Sequence, residues 1–265
     1  MTAWVFLPVS LPVSTITALW VAYAVVVRNH HVCPVDNWTY NDSCDDELVQ
    51  GPPKTCCTLE DIPLVSKCGT FPPESCLFSL ICSVGSFMVM LVGLLRYAQV
   101  KERHHRSLLN TAALVTGWIC AAGLMVVGNF QVDNAKILHY VGAGVGFPSS
   151  LFFICFQTVL TYRLAKTSLD YQIGRCRASL TISAFITLVL SGVFFVQESA
   201  RLQHAAAICE WVFTIVILVF YGTFAVEFGP ITESTFLEML KPQTKRTCKG
   251  DSSRVNPNQE AVVMI

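Results

Sequence analysis

Residues 28–76 carry two kinds of chemistry. Six cysteines, Cys33, Cys44, Cys56, Cys57, Cys68 and Cys76, form an even set in one polar stretch. Such a set in a segment outside the cytosol closes into disulfides, and spacing alone leaves the pairing open. Two Asn-x-Ser/Thr sequons, Asn37-Trp38-Thr39 and Asn41-Asp42-Ser43, are acceptors for N-linked sugar. Asn41 lies farther from the flanking apolar runs and is the better acceptor. Cys56 and Cys57 are adjacent, whereas metal and redox motifs favour C-x-x-C. Two separate disulfides are the expectation there. The acidic residues around them, Asp36, Asp42, Asp45, Asp46, Glu47, Glu60, Asp61 and Glu74, follow no EF-hand spacing. They read as the solvated face of a stapled cap.

Elsewhere the residues argue against catalysis. There is no Ser/His/Asp set, no zinc motif and no P-loop, so no catalytic, cofactor-binding or metal-binding residue is expected. Gly142-Ala143-Gly144-Val145-Gly146 lacks the strand and crossover context of a phosphate-binding turn. Gly142 and Gly146, four apart in an apolar run, instead suit close packing of membrane helices. His104-His105 stands in a basic turn without a third ligand nearby. Glu210, Glu227, His139 and His204 fall near the ends of apolar runs and read as interfacial. Lys241, Lys245, Arg246 and Lys249 make a basic cluster suited to an anionic leaflet or a partner. Val263-Met264-Ile265 has the apolar pattern that a PDZ-type pocket takes by strand addition.

The elements that position these residues follow from composition. The 265 residues are 53% hydrophobic and 14% charged, with mean hydropathy +0.52. Soluble domains carry about 25% charged residues. Runs of roughly twenty apolar residues recur, each able to cross a hydrocarbon core of about 30 Å. They predict an all-α membrane protein, a bundle of six transmembrane helices. The spans are about 3–27, 77–95, 108–128, 140–161, 179–196 and 209–228, making a membrane domain over 1–228. A disulfide-rich first loop covers 28–76, and a flexible tail covers 229–265. The first span has no basic n-region and is longer than a signal-peptide core, so it is expected to stay.

Basic residues set the expected orientation. Loops two and four and the tail hold 13 of the 18 Lys and Arg residues, against 5 on the other side. The positive-inside rule then puts both termini in the cytosol. Sequons and clustered cysteines fall outside, where their chemistry requires them.

Several stretches carry a family resemblance: Asn29-His30-His31-Val32-Cys33-Pro34, Gly51–Asp61, Pro72-Pro73-Glu74-Ser75-Cys76-Leu77-Phe78-Ser79 and Val127-Gly128-Asn129-Phe130-Gln131-Val132. Leu138–Gly144, Ser191–Phe195 and Tyr221–Phe224 extend it. The chain resembles the transmembrane protein 150 subfamily of the DRAM/FRAG/Sfk group, and the cysteine-rich loop makes it most similar to the type A branch. The resemblance implies a non-enzymatic plasma-membrane adaptor that recruits a phosphatidylinositol 4-kinase complex and its membrane scaffold, and so supports phosphoinositide levels. Other relatives imply two alternatives: an autophagy regulator in endolysosomal membranes, and a mechanosensitive channel or channel subunit.

Overall fold

The computed structural model describes residues 3–44, 54, 56–103, 107–229 and 231. The fold is all-helical, with no strand among the described residues. Six helices are long and apolar enough to cross a membrane. They are α1 (Phe6–Arg28), α2 (Glu74–Arg103), α3 (Leu108–Asn129), α4 (Lys136–Leu164), α5 (Ser168–Phe195) and α6 (Ala200–Gly222), followed by a short α7 (Ala225–Phe228).

Local chemistry sets several of the boundaries. Ser107 caps α3 by accepting from the Asn110 N–H, and Thr167 with Asp170 forms a capping box at the start of α5. His30 closes α1 with φ of 61°, a left-handed residue just past the helix end. The helices outrun the apolar windows read from the sequence. At 1.5 Å per residue the 30 residues of α2 reach about 45 Å, well beyond a hydrocarbon core of about 30 Å. Charged turns at the helix ends hide this length from a hydropathy reading.

Each helix packs on the next in sequence, and α1 closes the ring against α6. The core runs along the middle of this ring through Leu11, Val89, Val92, Phe153, Ile154 and Phe220, all at most 4% exposed. α3 and α4 approach most closely where Gly123 faces Gly142 and Gly146. A Cβ on Gly123 would sit 2.6 Å from the Gly146 Cα and 2.8 Å from the Gly142 carbonyl oxygen. α5 is the outlying helix, with 6% of its most apolar window buried. It is tied inward by polar bonds, Thr181 to Thr158 at 3.0 Å and Ser191 to the Ala206 carbonyl at 3.1 Å.

The segment between α1 and α2 caps one end of the ring. Two disulfides, Cys33–Cys57 and Cys44–Cys56, staple it. The expectation of six bonded cysteines is corrected here, because Cys68 and Cys76 are free thiols. Cys68 is buried in the core, whereas Cys76 is exposed on the first turn of α2. Burial pushes the Cys68 thiol pKa up, so it remains a packing residue. Trp211 donates to the Pro63 carbonyl at 2.9 Å, and Lys67 pairs with Asp133 at 2.7 Å. The cap is thereby fixed to α6 and to the connection between α3 and α4.

Candidate functional site

Two buried arginines and a carboxylate gather at the end opposite the cap. An ionisable side chain within a membrane domain is costly to keep, which makes it the first place to look for function. α2 contributes Arg96 and Gln99, α4 contributes Gln157 and Thr161, and α5 contributes Arg177. Thr223 and Glu227 come from the end of α6 and from α7. Arg96 is 3% exposed and Arg177 is fully buried.

Both arginines converge on one carboxylate. Arg96 Nη2 lies 2.9 Å from Glu227 Oε1. Arg177 Nη1 donates to the same oxygen at 2.9 Å, and its Nη2 donates to Oε2. This two-pronged pairing matches the planar guanidinium to the carboxylate. Arg177 also donates from Nε to Thr223 Oγ1 at 2.9 Å and from Nη1 to Thr161. Arg96 donates to Gln99 Oε1 at 2.6 Å, and Gln99 donates onward to the Glu227 carbonyl. The Phe224 ring lies 4.4 Å from the Arg177 guanidinium carbon and 5.9 Å from that of Arg96. Two cations share one anion, and aromatic faces supply part of the remaining stabilisation.

The cluster fixes where the chain leaves the bundle. Phe224, Phe228 and Ile231 are at most 2% exposed. α7 packs on α1 and on the opening 3-10 turn Ala3–Val5. A cavity of about 210 Å³ bordered by Arg96, Asp170 and Glu227 lies beside this packed end.

The structure changes the reading of several residues. Arg96 and Arg177 enter the charge tally as loop residues, but they lie on helices and are buried. Eleven basic residues against five still favour the same side. Glu210 is not interfacial. It is 7% exposed and faces the Val65 and Ser66 backbone N–H groups beneath the cap. His204 is fully buried, bonded to Tyr40 and to the Val35 carbonyl, with Trp38 at 4.1 Å. Burial pushes the Tyr40 phenol up to about 12, so it stays protonated. His139 bonds to the Phe130 carbonyl at 2.7 Å. Glu210 and His204 hold the cap down, whereas His139 ties the start of α4 to the end of α3.

Of the remaining candidates, Asn41 is exposed, while Asn37 is half-buried with its amide 3.0 Å from Cys57 Sγ. Gly142 and Gly146 lie against α3. Lys241, Lys245, Arg246, Lys249, the C-terminal Val263-Met264-Ile265 and His104-His105 lie outside the described residues. Among the described residues no group of His, Cys, Asp and Glu is placed to hold a metal ion.

Residues 3–231 match the family model "Frag1/DRAM/Sfk1/Cwh43P N-terminal domain". The chain is 56% identical to Transmembrane protein 150A of Xenopus laevis and 56% identical to that of Homo sapiens, in each case over the full length of both proteins. It is 30% identical to "Modulator of macroautophagy TMEM150B" of Xenopus tropicalis, over 86% of this chain and 87% of that one. No solved structure matches.

Proposed function

The chain belongs to the Frag1/DRAM/Sfk1/Cwh43P family, and from that premise we propose that this multi-pass membrane protein is a non-enzymatic plasma-membrane adaptor. Its basic end faces the cytosol and positions a phosphatidylinositol 4-kinase complex, supporting phosphoinositide homeostasis. The observation that carries this reading is the locked exit of the chain. Arg96 and Arg177 grip Glu227, so the tail departs from a fixed point on the face richest in basic residues. A tail held this way presents a partner site at a set distance from the inner leaflet. The basic cluster Lys241, Lys245, Arg246 and Lys249 adds attraction to anionic phospholipid, at about 1 kcal/mol per residue. A PDZ-domain protein at the C-terminus is a compatible further partner.

Deleting Thr232–Ile265 tests the reading. Kinase association, read by co-precipitation, is expected to disappear while surface delivery persists. Undiminished co-precipitation contradicts it.

The autophagy reading draws on relatives at about 30% identity that carry that name. A steady state in endolysosomal membranes would favour it. The channel reading has less support, because Phe153, Phe220, Tyr221 and Phe224 fill the interior near the basic end and are at most 1% exposed.

A further inference from the structure

The end of α1 meets the start of α2 around one buried carboxylate. Glu74 is 1% exposed, and its side chain is fully enclosed. Its Oε1 accepts from the Asn29 side-chain amide. The His31 Nδ1 lies 3.5 Å from the same oxygen, a contact too loose to be a hydrogen bond. Glu74 Oε2 and His31 Nδ1 both lack a hydrogen-bond partner among the described residues. An ionised carboxylate with so few partners is costly to bury, and the cost falls when a cation stands beside it.

The surroundings name the cation. No group of His, Cys, Asp and Glu among the described residues is placed to hold a metal ion. Lys67, in the short turn Lys67–Gly69, is engaged by Asp133. Arg28, the last residue of α1, is exposed. His30 makes no ion pair among the described residues. Cys68 senses the charge of Glu74 and of Glu210 but supplies no cation, and Glu210 is turned to the Val65 and Ser66 N–H groups. α2 adds only Ser75 and Cys76 on this turn. His31 remains. Its side chain is 28% exposed, so protons reach the ring from solution. Phe71 steadies that ring, with centroids 4.8 Å apart. Imidazole is the side chain that gains its charge between about pH 8 and pH 5.

We propose that this junction is a proton-operated latch: a protonated His31 closes on Glu74 and draws the end of α1, and the cap that follows it, onto α2. A proton held more tightly by the closed junction than by the open one adds stability as pH falls. The latch is therefore closed near about pH 5.5 and slack near about pH 7.4. The test is hydrogen exchange on the full-length protein in nanodiscs, corrected for the intrinsic pH dependence of exchange. The reporters are the hydrogen-bonded amides of His31, Cys33, Ser75 and Cys76. Between those two pH values their protection is expected to rise about tenfold, the worth of one charge-assisted hydrogen bond. His31→Gln places a neutral amide beside Glu74 and is expected to abolish the rise, as is Glu74→Gln. His30→Gln is expected to retain it. Exchange along α6 that matches the native protein at the same pH identifies variants that fold, and His31→Gln decides the matter if Glu74→Gln does not fold. Native protection that is flat or falls toward acid pH, or a rise that survives His31→Gln, overturns the proposal.

Discussion

Glu227 accepts from Arg96 and Arg177 on the same oxygen, Oε1, each at 2.9 Å, although the three residues come from separate helices. One carboxylate thus holds α2, α5 and α7 together at the end where the chain leaves the bundle. Removing it takes from two buried guanidiniums the carboxylate they share, and breaking a buried pair in this way costs about 3–5 kcal/mol. Glu227→Gln is expected to lower thermal stability in detergent by that order. Arg163→Gln, at an exposed position of α4, should leave it unchanged. Equal melting of the two variants contradicts the role given to Glu227.

The α3–α4 contact is tested by a single methyl. Gly123→Ala places a Cβ 2.6 Å from the Gly146 Cα, against backbone that cannot rotate away. A destabilisation of about 1–3 kcal/mol is expected from overpacking. Gly144→Ala, where an added Cβ meets nothing within 4 Å, should be near neutral. Thermal unfolding of the pair separates packing from helix propensity.

Thiol accessibility checks the cap. Without reductant, a maleimide probe applied to the cap side should label Cys76 and leave Cys68, Cys33, Cys44, Cys56 and Cys57 unmodified. Mass spectrometry should recover the Cys33–Cys57 and Cys44–Cys56 linkages. Because burial raises the Cys68 pKa, the folded protein holds that proton more tightly than the unfolded chain does. Its contribution to stability is therefore complete below the ordinary thiol range and declines as pH rises above about 9. Rapid labelling of Cys68 at neutral pH would contradict this packing.

Glycan occupancy follows exposure. Both amides lie against a disulfide sulfur, Asn37 on Cys57 at 3.0 Å and Asn41 on Cys56 at 3.2 Å, but Asn41 is exposed and Asn37 half-buried. Asn41→Gln should remove most of the glycosidase-sensitive mass in cells, and Asn37→Gln should remove little. The reverse result contradicts the placement of the cap.

The six helices were legible because each span is a nearly continuous apolar run, a signal that needs no partner to be read. The buried cluster was not legible in the same way. Arg96 and Arg177 stand beside Lys101 and Arg175 in sequence, and a charge count treats all four alike. Only the long-range fold brings Glu227 against both arginines. One local signal was available: Gln99, Gln157 and Thr161 are polar residues recurring near helix ends, which hints that these ends face a polar interior. The disulfide set was half legible. Six cysteines in one polar loop predicted bonding, but the depth at which Cys68 enters the core depends on α2 packing. Glu210 was misread as interfacial because the cap reaches down to it, which a hydropathy profile does not register.

Proximity labelling from the C-terminus of the full-length protein in intact cells tests the central claim most directly. A promiscuous biotin ligase fused after Ile265 should label subunits of a phosphatidylinositol 4-kinase complex and residents of the cytosolic face of the plasma membrane. Labelling of endolysosomal autophagy proteins without the kinase complex, or of lumenal proteins alone, would contradict the adaptor reading.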